Sequence, residues 1–289
     1  MILSHTELST FQRCHREHHY RYVLRRAPRE DAEPLRFGKL WSTFLETRAI
    51  PPITSHETAK LVAMALGYLE RWSDEPFETL GVEVPFRIRG LMFDLHGRLD
   101  RVARDRRTGE IVLIESKTTS DEIAFGASYW RMVSAMDPQI STYYPGARAA
   151  GFNVQRCVYD VVRKPQVRPY KATAIEARKF TKDGALYKTQ RETDETPEEY
   201  FERIVNVIAE SPDKYYARGD VVRLERDERE HAVDVWETAQ LIALGRRTRN
   251  PQSCKRFSRF CNYFDVCSGV ASIESMPVRE SETKEKDEI

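Results

Sequence analysis

The chain has 289 residues, of which 40% are hydrophobic and 31% are charged, and this balance is typical of a globular protein with one sizeable core. No apolar run approaches the ~18 residues of a membrane span, so we expect a cytoplasmic protein with no membrane partner. Lysine and arginine number 46 against 45 acidic residues, for a net charge of +1. Such a charge gives no general attraction to nucleic acid, so any basic surface must be local.

The first 75 residues carry three helical patterns, over 4–24, 36–47 and 57–73. Ser4 is a candidate N-cap with Glu7 three residues later, and Pro51-Pro52 separates the second and third helices. A local basic cluster lies here, with six arginines against three glutamates: Arg13, Arg16, Arg21, Arg25, Arg26 and Arg29 against Glu7, Glu17 and Glu30. Candidates for DNA contact are Arg13, Arg16, Arg21 and Tyr20, and a solvated helix face is an equally good interpretation.

Three short β-rich runs follow, over 82–89, 92–104 and 110–118, and they predict an antiparallel meander. Asp137-Pro138 predicts the start of a helix over 138–150, in which Pro145 predicts a kink or an early break. The apolar run 157–162 predicts another strand.

The C-terminal part is mainly helical. A capping box from Thr196 to Glu199 opens one helix, and a longer helix is predicted over 226–245. The order of elements predicts an α/β fold, a mixed central sheet flanked by helices and extended by helices at both ends. We divide the chain into an N-terminal helical region (1–75), an α/β core (76–165), a C-terminal helical region (166–269) and a disordered tail (270–289).

Two carboxylates and a lysine lie on the second and third predicted strands. Asp100 ends the segment GRLD, and Glu115, Ser116 and Lys117 follow on the next strand. Residues two apart on a strand share a face, so Glu115 and Lys117 should point the same way while Ser116 points into the core. The two carboxylates and the main-chain carbonyl of Ser116 are hard oxygen ligands suited to Mg²⁺ or Mn²⁺, and the ammonium of Lys117 can orient the attacking water.

An exposed polar strand face is the alternative explanation of Glu115 and Lys117. The apolar run 111–114 weakens it, because such a run indicates a strand buried on both faces. Gln139 and Tyr143 lie four apart on the predicted helix, therefore on one face, and extend the constellation. Glu83 could add a carboxylate, although a glutamate there is ordinarily a surface residue.

Four segments, FGKLWSTFLE, GRLD, IESK and QISTY, resemble in this order the RecB-like branch of the PD-(D/E)XK nuclease superfamily. The resemblance implies a restriction-endonuclease-like core and a Mg²⁺- or Mn²⁺-dependent deoxyribonuclease. It also implies that Asp100 and Glu115 bind the metal, that Lys117 is catalytic, and that Gln139 and Tyr143 support the site and the DNA.

One position departs from that family. The family has G-x-x-x-H in its early helix, with the histidine as a metal ligand, whereas here Gly38 is followed four residues later by Ser42. Three explanations stay open: natural loss with weaker metal binding, replacement by another residue in space, or an introduced substitution. All three predict an altered metal site.

Four cysteines form a second constellation. Cys254, Cys261 and Cys267 are clustered near the C-terminus, and Cys14 lies in the first helix. They resemble the four-cysteine iron–sulfur staple of CRISPR adaptation nucleases, their phage-borne relatives and AddB-type nuclease domains. The resemblance implies a [4Fe–4S] cluster, with tetrahedral zinc as the alternative. Buried free cysteine is the other alternative, and it fits Cys157 in its apolar strand best.

The resemblance implies an exonuclease that acts on single-stranded DNA ends in recombination, repair or CRISPR adaptation, with protein partners from such a complex. The rival hypothesis is a DNA-binding or adaptor protein on the same scaffold whose activity is weakened or lost, and Ser42 is the residue that supports it.

Overall fold

The computed structural model describes residues 1–28, 33–256 and 259–278. Arg29 and Glu30 of the basic cluster and residues 279–289 of the predicted tail lie outside the described residues. In the described ranges, none of the helices is both long and apolar enough to cross a membrane.

A six-stranded mixed sheet forms the centre of the molecule, as the sequence predicts. Its strands are β1 (Ile2–Ser4), β2 (Phe77–Ile88), β3 (Asp94–Asp105), β4 (Ile111–Thr119), β5 (Arg156–Arg163) and β6 (Tyr216–Val221). Strand β3 pairs antiparallel with β2 and β4 and parallel with the short β1. Strand β5 pairs parallel with β4 and antiparallel with β6. The predicted meander is therefore present, and both flanking regions add a strand that the sequence analysis did not predict.

The helices cover both faces of this sheet. They are α1 (His5–Arg13), α2 (His15–His18), α3 (Glu33–Thr47), α4 (His56–Arg71), α5 (Ser128–Met136), α6 (Pro138–Ala149), α7 (Pro197–Ala209), α8 (Glu225–Ala243) and α9 (Phe264–Ser268). A small hairpin, β7 (Lys255–Arg256) with β8 (Arg259–Phe260), precedes α9. Helix α5 was not predicted, and its N-cap, Ala127, supplies no side-chain hydrogen bond to the helix.

Two apolar clusters pack against the sheet, one on each face. Helices α5 and α6 cover one face through Trp130, Ile140 and Tyr144, which pack on Leu113 and Tyr159 of the sheet. Helices α3, α4 and α7 cover the other face in a cluster that includes Trp41, Tyr68, Ile204 and Tyr216. Because strands β4 and β5 are buried on both faces, each contains a continuous apolar run, 111–114 in β4 and 157–159 in β5, rather than an alternating pattern.

Capping explains where several helices begin. Ser4 accepts a hydrogen bond from the backbone N–H of Glu7, and Thr196 forms the predicted capping box with Glu199. The first predicted helix is interrupted at Cys14, whose backbone is extended, and continues through α2 into a π-helical turn at His19–Val23.

Two expectations need correction. Helix α6 continues past Pro145 to Ala149, so the predicted early break does not occur. Residues 270–278, assigned to the tail, include a 3₁₀ turn at Ile273–Ser275. They contact the segment that follows the π-helical turn, where Arg26 Nη1 donates to Met276 O at 2.7 Å.

Candidate active site

Asp100 lies on the edge of β3 that pairs with β1 at one end and with β4 at the other. Strand β1 pairs with residues 94–96 of β3, and β4 pairs with residues 101–104 of the same edge, which leaves 97–100 between them. Asp100 Oδ2 accepts a hydrogen bond of 3.1 Å from the backbone N–H of Ser116. The carboxylate of Asp100 thus lies beside the E-x-K strand, as the sequence predicts.

Glu115 and Lys117 share one face of β4. Glu115 is only 1% exposed, which excludes the alternative of a solvated strand face. Lys117 Nζ forms an ion pair with Glu115 Oε1. Burial, together with the nearby charge of Asp100, raises the pKa of Glu115 to about 8. Ser116 is half-buried and lines a surface cavity, so it does not point into the core as predicted.

A chain of hydrogen bonds runs from Lys117 to helix α6. Lys117 Nζ donates to Gln139 Oε1 at 2.8 Å, and Gln139 Nε2 donates to the hydroxyl oxygen of Tyr143 at 2.6 Å. Burial lowers the pKa of Lys117, but the charges of Glu115 and Asp100 outweigh it, and the net pKa is raised. Lys117 therefore remains a cation, suited to orienting and stabilising anions rather than accepting a proton.

Phe86 packs against Tyr143, and the two rings are edge-on at a centroid distance of 6.0 Å. Gly97 and Gly146 leave room for the ring of Phe86, because a Cβ at either position would lie within 3.0 Å of its atoms. The glycine of the GRLD segment therefore has a packing role beneath the site.

Helix α6 is fixed at its start by residues that the sequence analysis did not place in the site. Asp137 caps α6 by accepting from the backbone N–H of Gln139, and its second oxygen accepts from the hydroxyl of Tyr159 at 2.7 Å. The buried Arg223 donates to Asp137 O at 3.0 Å and to Ser141 Oγ at 2.8 Å. Only the capping signal of Asp137 was visible in the sequence, since Tyr159 and Arg223 come from distant segments.

Ser42 lies on α3 and lines the cavity that Asp100, Ser116 and Glu83 also line. Its hydroxyl donates to Glu46 Oε1 at 3.2 Å, one turn further along the helix. Ser42, at the position where the family that the sequence resembles has a histidine, thus lines the same cavity as the carboxylate of Asp100.

The donor set fits a hard divalent cation. Glu115 is buried, and within the described residues neither of its oxygens accepts a hydrogen bond of regular geometry. A buried carboxylate without donors is costly unless cations compensate it, and Lys117 is one such cation in contact with Glu115. Among residues 1–28, 33–256 and 259–278, no three His, Cys, Asp or Glu side chains form a preformed metal site.

The four cysteines of the second constellation line one small cavity. Cys14 comes from the end of α1, and Cys254, Cys261 and Cys267 come from the segment around the β7–β8 hairpin and α9. The backbone N–H of Cys261 donates to Cys254 O at 2.8 Å, and burial raises the pKa of the Cys261 thiol to about 11. Cys157 is buried apart from them in β5. In the part of the chain that the structure describes, the four thiols do not form a preformed metal site.

The four candidates for DNA contact in the first region all have contacts within the protein. Tyr20 is 8% exposed and packs against Tyr263 at a ring-centroid distance of 5.6 Å. Arg13 pairs with Glu17 at 2.6 Å, and Arg16 donates to Arg247 O at 2.9 Å. Arg21 is half-buried, with its guanidinium 5.4 Å from the ring centroid of Tyr22.

The mixed sheet with this carboxylate–lysine site defines an α/β nuclease fold of the restriction-endonuclease type. The family model described as the PD-(D/E)XK nuclease superfamily matches residues 39–268. The chain belongs to the PD-(D/E)XK nuclease superfamily.

Two further comparisons add little. No curated protein matches the chain. The solved structure titled "Crystal structure of SSO0001" is similar, with 13% identity, 83% of this chain and 76% of that chain covered, and a TM-score of 0.34. A likeness at that level carries no functional information.

Proposed function

We propose that the protein is a divalent-metal-dependent deoxyribonuclease whose active site is built on Asp100, Glu115 and Lys117. The observation that carries the proposal is the arrangement of a buried, unsolvated Glu115 beside Asp100, with Lys117 held between Glu115 and Gln139. In a member of a nuclease superfamily, this arrangement is best explained as a site for phosphodiester hydrolysis.

Each residue has a distinct role in the reaction. Asp100, Glu115 and the main-chain carbonyl of Ser116 would hold Mg²⁺ or Mn²⁺, which when bound supplies Lewis-acid activation of the phosphodiester and of water. Lys117, a cation because its pKa is raised, orients the water for in-line attack and offsets the negative charge that develops on the phosphoryl oxygens. Gln139 and Tyr143 hold the ammonium of Lys117 in place.

The finer assignment rests on the RecB-like resemblance of the four sequence segments. It favours an exonuclease on single-stranded ends, working with protein partners in recombination, repair or CRISPR adaptation. We place this activity in the cytoplasm, because the free thiols proposed below as ligands persist in a reducing compartment.

We further propose that Cys14, Cys254, Cys261 and Cys267 ligate a [4Fe–4S] cluster, with zinc as the alternative metal. The shared cavity supports this proposal, because it brings a thiol from residue 14 to three thiols more than 200 residues later in the chain. Ligation would tie α1 to the C-terminal segment, and its binding energy would become folding energy.

The test is cleavage of end-labelled single strands and duplexes in the presence of Mn²⁺ or Mg²⁺, with Asp100→Asn as the inactive reference. We expect metal-dependent cleavage that chelation abolishes and that single strands support better than duplexes. Equal residual activity in the parent and in Asp100→Asn would contradict the assignment of the site.

A second candidate function is a DNA-binding or adaptor protein that has lost catalysis. The observation that favours it is Ser42, which faces the cavity of Asp100 where the resembling family has a metal-binding histidine. If neither the parent nor Ser42→His cleaves DNA while both bind it, this second function is the correct one.

A further inference from the structure

Strand register aligns three carboxylates across β2, β3 and β4. Val82 pairs with Arg101 and Val84 with Leu99, so Glu83 lies opposite Asp100. Arg101 in turn pairs with Ile114, so continuation of that register places Asp100 opposite Glu115. Neighbouring strands lie about 4.8 Å apart. Glu83, Asp100 and Glu115 therefore form one row across three adjacent strands.

Glu83 differs from an ordinary strand glutamate. Its φ of +49° lies in the left-handed region, which is uncommon for residues other than glycine and is often found at functional sites. Glu83 is half-buried and lines the cavity that Ser42 and Asp100 line. The residue is thus directed toward the site rather than into solvent.

A second observation independently points to cation binding at this row. Glu115 is 1% exposed, and in the described part of the chain neither of its oxygens accepts a hydrogen bond of regular geometry. Lys117 forms an ion pair with Glu115 through Oε1. Burial of an ionised carboxylate without hydrogen-bond donors is strongly unfavourable, and a divalent cation beside Lys117 would compensate it.

We propose that Glu83 is a third carboxylate ligand of the catalytic divalent ion, in the role for which Ser42 is unsuited. This inference rests on the proposed nuclease function. Glu83 already takes part in another interaction in this structure, so metal binding would exchange that interaction for the ion. An all-oxygen set of three carboxylates suits hard ions such as Mg²⁺ and Mn²⁺.

The experiment is a calorimetric titration of Mn²⁺ into the parent chain and three variants, supported by electron paramagnetic resonance of the unbound Mn²⁺. Glu83→Gln removes the proposed ligand. Glu46→Gln is the matched control, because Glu46 lines the same cavity and accepts from Ser42. Asp100→Asn removes a carboxylate that the proposed function requires. Thermal melting of the metal-free variants checks that each one is folded.

We expect Glu83→Gln to weaken Mn²⁺ binding by roughly tenfold or more while Glu46→Gln binds like the parent. If Glu83→Gln does not fold, Glu83→Asp replaces it, and its shorter side chain should weaken binding in the same direction. Parent-like binding by a folded Glu83 variant, together with loss of binding in Asp100→Asn, overturns the role of Glu83 and leaves the nuclease site intact. A larger loss in Glu46→Gln than in the Glu83 variant assigns the ligand to Glu46 instead. Parent-like binding in all variants, or none in the parent, overturns the metal site itself.

Discussion

Lys117 Nζ donates a hydrogen bond of 2.8 Å to Gln139 Oε1, which joins the central strand β4 to helix α6. The side-chain amide of Gln139 also donates to the hydroxyl oxygen of Tyr143, and the backbone N–H of Gln139 donates to the carboxylate of Asp137. The lysine of the E-x-K strand is therefore positioned by α6, and its role can be separated experimentally from that of the helix.

Lys117→Ala should abolish cleavage while DNA affinity stays close to that of the parent. The ammonium acts on charge that develops in the transition state, so its removal should lower kcat by about 10²-fold or more. Single-turnover cleavage and fluorescence anisotropy measure the two quantities. Lys182→Ala, an exposed lysine of the loop before α7, is the control and should behave like the parent. A fully active Lys117→Ala would disprove the catalytic role of this lysine.

Gln139→Ala should lower kcat by about tenfold with little change in KM, a smaller effect than that of Lys117→Ala. The amide does not act on the substrate, and its removal loosens the lysine without removing it. In the double variant the two losses should not add, because both act through one ammonium. Additive losses measured by single-turnover kinetics would show that Gln139 acts independently of Lys117.

Metal-free protein should lose stability as the pH rises from about 5 to 8. The pKa of Glu115 is raised by burial to about 8 from its ordinary 4.5. Between these values the folded chain retains a proton that the unfolded chain releases, so the free energy of unfolding falls with rising pH. Glu115→Gln cannot ionise and should flatten this dependence, as measured by thermal midpoints in chelator at pH 5 and pH 8. Identical slopes in variant and parent would mean that Glu115 titrates normally.

Ser42→His should strengthen Mn²⁺ binding and raise the cleavage rate, because an imidazole at this position would face the cavity of Asp100. Calorimetry and cleavage assays test this expectation. Thr43→His is the matched control, since Thr43 is the next residue on α3 and is exposed. Unchanged affinity and rate in Ser42→His would mean that α3 does not contribute to the metal site.

Protein purified without oxygen should be brown and should contain roughly four irons per chain. Cys14→Ala should lose this iron and become protease-sensitive at both termini together, because ligation contributes to folding. Cys157→Ala is the matched control and should keep the iron, since Cys157 is buried in β5 away from the other four. Zinc in place of iron would change only the metal's identity. A fully folded, metal-free parent would refute the cluster.

The local chemistry of the site could be predicted from the sequence because short-range geometry fixes it. Glu115 and Lys117 share a face through the two-residue period of a strand, and Gln139 and Tyr143 share a face through the helical period. The apolar run before Glu115 indicated its burial, and the structure confirms it. The family assignment followed from the order of these segments, and the family model confirms it at the level of the superfamily.

Only the tertiary structure decided which distant segments meet. Strand β1, too short to carry an alternating pattern, joins the sheet beside Asp94. The position of Glu83 depends on an irregularity between Thr79 and Gly81, where the pairing of β2 with β3 shifts by one residue. Without that shift Val82 would lie opposite Asp100. Because a one-residue slip moves every side chain to the other face, no local pattern in the sequence could place Glu83 in the row of carboxylates.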